Sequence, residues 1–330
     1  MKPYYMKSLD EYQGNRQYDA FFCANGLEGR DTRVVKLFQK KMFKVKKWVV
    51  FDYAERVAEK DEKEENISIH LRNENVFLIS TSYSDLRSYS EILQEVIEDI
   101  MSAEYIGIDI TGFKNQFFFP IFKFLKNNCC IKKIDAFYTE PATYKFPKKR
   151  ESMGYFPNVQ EDTKVLFNYA KAQAGVEIRS IPGFEGGRLK ATVLVILLGF
   201  DGRVAVRIKE EYNAEKVLLI NGFPAYLPKF RDISLMNNKE LVSACNKDEI
   251  FSTYADNPFE VYNVLYRIKQ KYPDYKLLIA PLGAKPLALG VCKFVLDYSQ
   301  MAVLYVESSK YVEKSTEKFG ETWEYHINFE

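Results

Sequence analysis

Two lysines, each two residues beyond a glycine, are the chemically most suggestive positions in the chain. Thr111-Gly112-Phe113-Lys114 follows the apolar run starting at Tyr105 and precedes the apolar stretch Phe117 to Leu125; Leu282-Gly283-Ala284-Lys285 follows Leu277 to Pro281 and precedes Pro286 to Leu296. A strand that breaks at a glycine and starts a helix exposes free backbone amides at the positive end of the helix dipole. A lysine on that turn adds a mobile charge, so the combination suits a phosphate or another anion. The bland alternative is a surface lysine at a helix start, where the dipole would favour an acid. The two turns differ: Thr111 offers a hydroxyl, whereas the second has Leu282 there and Pro286 as a helix starter.

Other candidates lie on the same kind of loop. Ser80, Thr81 and Ser82 form a hydroxyl cluster suited to phosphate or ribose, or to helix capping. Arg203, shortly after Gly199, can reach an anion or close a salt bridge. Glu140 and Glu307 recur at matching strand ends, and with Asp109 they are candidate general bases, ribose-hydroxyl acceptors or loop caps. His70 and His326 stand in no metal-ligand spacing, and histidine-based chemistry is not expected. Phosphate-binding P-loop, nucleophile-elbow and dinucleotide-fingerprint motifs are missing, so no cofactor is expected. The five cysteines form no Cys-x-x-Cys pair, which points to a reducing, cytoplasmic setting.

The elements that position these residues come twice. Aligning Gly112 with Gly283 places Lys114 on Lys285 and, after a four-residue gap, Tyr138, Glu140 and Tyr144 on Tyr305, Glu307 and Tyr311. Upstream, Trp48 to Arg56 resembles Val195 to Arg203, and Val76 to Ser80 resembles Val217 to Asn221. This predicts two tandem Rossmann-like α/β modules with mainly parallel sheets, related by internal duplication. Residues 1–150 form the first, 151–187 a helical linker containing a helix over Glu161 to Ala174, and 188–330 the second. Arg56 to Lys114 spans 58 residues and Arg203 to Lys285 spans 82, so an insertion is expected near 224–257. The mixed charge run Glu59 to Glu65 reads as a solvated segment, and Lys36 to Lys47 as an exposed helix leading into a strand.

Composition narrows the field. With 47 basic and 45 acidic residues the net charge is +2, too small for a dedicated nucleic-acid binder. At 47% hydrophobic and 28% charged the chain is globular in composition, and no apolar stretch approaches the ~20 residues of a membrane span.

Thr111 to Lys114 and Leu282 to Pro286 resemble the ligand edge of CRISPR-associated Rossmann fold domains, which often carry Thr-Gly-Gly-Thr-Lys at this place. The resemblance covers a short stretch in each half and lacks the second glycine and threonine. It implies a nucleotide or oligonucleotide sensor in prokaryotic antiviral defence, homodimeric or mimicking a dimer within one chain, with a nuclease or ATPase as a candidate protein partner. An enzyme acting on a nucleotide or phosphosugar through a carboxylate base, and a non-catalytic scaffold of a larger defence complex, are the alternatives.

Overall fold

The computed structural model describes residues 6–10, 16–26, 29–54, 66–82, 89–144, 177–187, 191–223, 228–307 and 316–329. The chain divides into a first unit, Met1–Lys145 with Glu313–Glu330, and a second unit, Phe146–Val312. The first holds strands β1 (Met6–Ser8), β2 (Gln17–Asn25), β3 (Lys44–Tyr53), β4 (Val76–Thr81), β5 (Tyr105–Asp109), β6 (Lys133–Tyr144) and β13 (Thr316–Ile327). Its helices are α1 (Thr32–Lys40), α2 (Ile67–His70), α3 (Tyr89–Leu93), α4 (Ile97–Ile100) and α5 (Asn115–Asn128). The second holds β7 (Glu177–Glu185), β8 (Thr192–Leu197), β9 (Lys216–Gly222), β10 (Ile250–Thr253), β11 (Lys276–Pro281) and β12 (Ala302–Glu307). Its helices are α6 (Gly202–Glu211), α7 (Pro228–Asn237), α8 (Lys239–Ala244), α9 (Pro258–Lys271) and α10 (Lys285–Asp297).

Both units are Rossmann-like. The first sheet runs β1-β13-β6-β5-β2-β3-β4 and the second β10-β9-β8-β11-β12-β7. In each, five parallel strands take the order third, second, first, fourth, fifth, and an antiparallel strand pairs with the fifth. Parallel strands covered on both faces read as continuous apolar runs. Val193 to Leu197 of β8 are all fully buried, as are Phe21 to Cys23 of β2. Tyr18, Phe21, Phe38, Trp48 and Phe137 build one core, with Tyr18 stacked on Phe38 at 5.7 Å and Phe21 edge-on to Phe38 at 4.8 Å. Leu194, Ile196, Leu219, Leu278 and Leu304 belong to the other. Helix starts follow local chemistry: Asn257 accepts from Phe259 N at 3.0 Å ahead of Pro258 in α9, and Asp201 accepts from Arg203 N and Val204 N at the head of α6.

The lysine turns match in structure as in sequence. Asp109 pairs with Phe137 across β5 and β6, and Ile279 with Val303 across β11 and β12. One step beyond Ile279 the second ladder sets Ala280 against Leu304, so Asp109 and Ala280, each three residues before its turn glycine, face equivalent positions of the fifth strand, four-residue gap included.

The upstream matching is displaced by one strand. The strand that opens the first unit is β2, the counterpart of β8; the Trp48 strand is the second and corresponds to β9, and β4 corresponds to β10. Gly26, after β2, and Gly199, after β8, are therefore equivalent, and they lie 86 and 84 residues before Gly112 and Gly283. The insertion expected near 224–257 does not exist: α7, α8 and β10 occupy that stretch as the ordinary crossover and third strand.

The domain boundaries also change. Strand β13 belongs to the first unit, and β7, not a helix, covers Glu177–Glu185. The chain thus exchanges strands: β7, after the first unit's fifth strand, completes the second sheet, and β13, after the second unit's fifth strand, completes the first. Arg56, Glu59 to Glu65 and the helix expected over 161–174 lie outside the described residues. Among the described residues no helix is long and apolar enough to cross a membrane.

Candidate functional site

In the first unit β2 and β5 lie side by side, yet the chain leaves them toward opposite edges of the sheet. Their carboxyl ends therefore open a crevice, the usual ligand position in a doubly wound sheet. Gly26 and Gly112 stand at its mouth. A Cβ on Gly112 would fall 2.0 Å from the Ala24 carbonyl oxygen, and one on Gly26 would fall 3.0 Å from the Gly112 Cα. The two backbones meet because neither residue has a side chain.

Buried polar groups surround this contact. Asp31, 1% exposed at the head of α1, does not cap its own helix; its carboxylate accepts from Gly26 N. Asp109 accepts from Thr111 N at 2.9 Å, Thr111 Oγ1 accepts from Thr139 N at 2.9 Å, and the Thr139 and Thr322 hydroxyls lie 3.1 Å apart. Arg30 donates to the Thr139 carbonyl at 2.5 Å and sits 5.7 Å from the Tyr138 ring centroid. Lys114 is half-buried where α5 begins. Burial pushes the nearby Cys23 thiol well above its usual range, and the charges of Asp109 and Asp31 add to the effect. Both carboxylates therefore act on one small volume beneath the turn.

The second unit repeats the backbone and changes the chemistry. A Cβ on Gly199 would fall 2.0 Å from the Leu282 carbonyl oxygen; one on Gly283 would fall 2.8 Å from Leu287 Cδ1 and 3.0 Å from the Leu198 carbonyl oxygen. Lys285 is half-buried at the start of α10. The Gly199 carbonyl accepts from Asn238 at 2.9 Å and Ser234 at 3.2 Å, and the Phe200 carbonyl accepts from Asn237 at 2.7 Å. Neutral side chains from α7 and the junction before α8 thus dress this turn.

The structure brings Asp109, Thr111, Gly112 and Lys114 together at the first crevice, and Gly283 and Lys285 at the second. Arg203 is exposed in the first turn of α6, next to the second crevice. Ser80, Thr81 and Ser82 lie elsewhere: β4 is an edge strand three places from β5, about 14 Å away at ordinary strand spacing. Their structural counterpart is the end of β10, not Asn221. Glu140 is buried at 4% exposure beside Thr139, whereas Glu307 forms an ion pair with Arg179 of β7 at 3.1 Å. Sequence reasoning missed Arg30 and Asp31. An aspartate immediately before the amphipathic run Thr32 to Lys40 was the available signal.

At the opposite end of the first sheet Arg16, Tyr18, Lys133, Asp135, Glu324 and His326 form a second polar cluster. Oxygen and nitrogen donors of Asp135, Glu324 and His326 lie within 4.8 Å of one another. Arg16 contacts both carboxylates and Lys133 lies 3.1 Å from Asp135, so protein cations already balance the two buried charges. Tyr18 donates to Asp135 at 2.9 Å and His326 Nδ1 contacts the same carboxylate. Burial alone would raise the Asp135 carboxyl, but His326 and Lys133 hold it below the usual carboxylate value. Burial and the charges of Asp135 and Glu324 push the Tyr18 phenol up. This arrangement locks β2, β6 and β13 together rather than offering an open ligand position. All five cysteines are unpaired, and Cys23 and Cys292 are buried.

No protein-family model matches the chain, and none of the curated proteins compared with it matches. Among solved structures, the UDP-GlcNAc 2-epimerase from Neisseria meningitidis bound to UDP-GlcNAc is 10% identical, with 86% of this chain and 92% of that chain covered and a TM-score of 0.18. The S. aureus MnaA–UDP structure is 14% identical, with 80% of this chain and 74% of that chain covered and a TM-score of 0.20. At these scores the likeness carries no argument about ligand or activity.

Proposed function

We propose that this protein binds a phosphate-bearing nucleotide or phosphosugar at the carboxyl-terminal rim of its sheets, with Lys114 and Lys285 as the cationic contacts. One observation carries the reading. Both Gly-x-Lys turns fall at the switch point between the first and fourth parallel strands, in the same register, with a glycine of the first strand's turn pressed against them. Backbone amides, a helix start and a lysine converge there. In the sensor form implied by the resemblance to CRISPR-associated Rossmann fold domains, a cytoplasmic protein binds its nucleotide without consuming it.

The enzyme reading rests on a different feature. Arg30, Asp31, Asp109 and Glu140 are buried charged residues at the first rim, and desolvated carboxylates beside a bound phosphosugar or nucleotide are placed for acid–base work. Thermal unfolding with pyrophosphate, UMP, UDP-sugar and cyclic oligonucleotides, combined with product analysis, tests both. Stabilisation by at least one of these ligands, reduced in Lys114→Ala and Lys285→Ala, supports binding; its absence throughout contradicts it. Consumption that falls in Glu140→Gln or Asp109→Asn selects the enzyme.

A further inference from the structure

We propose that the second unit carries a nucleobase-stacking site formed by Phe223 and Tyr254. The last pair of the β9–β10 ladder is Gly222 with Thr253, and Phe223 N donates to the Thr253 carbonyl at 2.5 Å, so Phe223 and Tyr254 come next at neighbouring positions where the two strands end. Both aromatic side chains are open to solvent, at 44% and 48% exposure. At the corresponding strand end of the first unit the aromatic residue is packed: Tyr53, at the end of β3, is fully buried 5.2 Å from the Phe117 ring. Two exposed rings on adjacent strands at the ligand edge of a doubly wound sheet offer π-faces to a planar guest, and every base has a matching face.

The surroundings specify an anionic planar guest. Arg231 of α7 lies over the Phe223 ring, its guanidinium carbon 4.5 Å from the centroid. Leu287 of α10 joins the aromatic end to the lysine turn: a Cβ on Gly222 would sit 3.5 Å from Leu287 Cδ1, and one on Gly283 would sit 2.8 Å from the same atom. Lys285 precedes Leu287 by two residues. Leu287 thus lies between the strand end that carries the two rings and the Gly283–Lys285 turn, with Arg231 on the aromatic side, so that a nucleotide with its base on the rings has the turn across Leu287 for its phosphate. Glu260, whose carboxylate accepts from Tyr254 N at 3.1 Å, adds an acceptor for a base amine or a ribose hydroxyl.

This inference names the base-binding half of the nucleotide reading and rests on that reading for the phosphate alone. The test uses three probes on the whole chain: adenosine and uridine, which have a base without phosphate; pyrophosphate, which has phosphate without a base; and UMP, which has both. Equilibrium dialysis is to be run with wild type, Phe223→Ala, Tyr254→Ala, Phe223→Trp and Lys285→Ala, with circular dichroism confirming the fold. The site predicts that a nucleoside binds wild type and loses at least tenfold in affinity in Phe223→Ala and Tyr254→Ala, while Phe223→Trp retains binding. Pyrophosphate binding should be unchanged by the aromatic substitutions. Nucleosides that fail to bind, or bind the alanine variants as well as wild type, overturn the stacking site whatever pyrophosphate does. Pyrophosphate that ignores Lys285→Ala, with stacking intact, counts instead against the phosphate reading.

Discussion

At the first rim Arg30, Asp31, Asp109, Thr111, Thr139 and Glu140 are all buried, whereas the second rim has Ala280, Leu282 and Val306 in the places of Asp109, Thr111 and Thr139 and displays Phe223 and Tyr254 to solvent. The backbone beneath is the same: equal strand order, equal register and a glycine contact at each switch point. Burying charge costs several kcal/mol unless hydrogen bonds and partners offset it, so the first rim holds polarity that a purely structural edge would lose. The second keeps an apolar turn and puts its chemistry outside, in aromatic rings and the cations Arg231 and Lys285. A shared scaffold therefore carries two divisions of labour.

The glycine contacts are the sharpest way to break that comparison, because they are tight on different strands. Gly112→Ala and Gly199→Ala each drive a Cβ to 2.0 Å from a carbonyl oxygen and should each cost about 3 kcal/mol or more. Gly283→Ala meets the movable Leu287 side chain first and should cost about 1 kcal/mol. Urea unfolding of the three variants checks the order; equal effects would mean the contacts are not the constraint described.

Next comes the strand lock of the first unit. Asp135 has a folded carboxyl below its unfolded value of about 3.9, so it contributes stability that is present above about pH 4 and lost as pH falls through the folded value. Asp135→Asn should lower stability at pH 7 by about 3 kcal/mol, since it leaves Arg16 and Lys133 without this charged partner, and should flatten the acid limb. Urea midpoints from pH 7 to pH 3 read both. A variant with the wild-type acid slope would assign that slope to other carboxylates.

The smallest effect belongs to Glu307→Gln. Its ion pair with Arg179 is solvent-facing on the arginine side, and the urea midpoint should stay within error of wild type. A clear drop would give the second unit a strand lock of its own.

The lysine turns were legible because Gly-x-Lys between two apolar runs is a distinctive punctuation, and Tyr138 with Glu140 fixed the gap to the next strand. The strands upstream were not. Trp48 to Phe51 and Val195 to Leu198 are both buried runs, and such runs carry no mark of which strand they are, so the match slipped by one and β2 went unpaired. The strand exchange was invisible for another reason: His326 meets Asp135 across 191 residues, and local pattern says nothing about so distant a partner. Asp31 and Phe223 each had a local sign, an acid before a helix and an aromatic residue at a strand end, but such signs are common: Asp201 heads α6 and Tyr53 ends β3 in the same way, and nothing local marks which acid turns away from its own helix or which ring faces solvent.

The central claim is that the twin switch points hold phosphate through Lys114 and Lys285. Isothermal titration of wild type, Lys114→Ala, Lys285→Ala and the double variant with UMP and pyrophosphate tests it most directly. The account predicts saturable binding in wild type, a loss of about tenfold for each lysine that contacts the ligand, and none detectable in the double variant. Binding that is absent from wild type, or undiminished in the double variant, would contradict it.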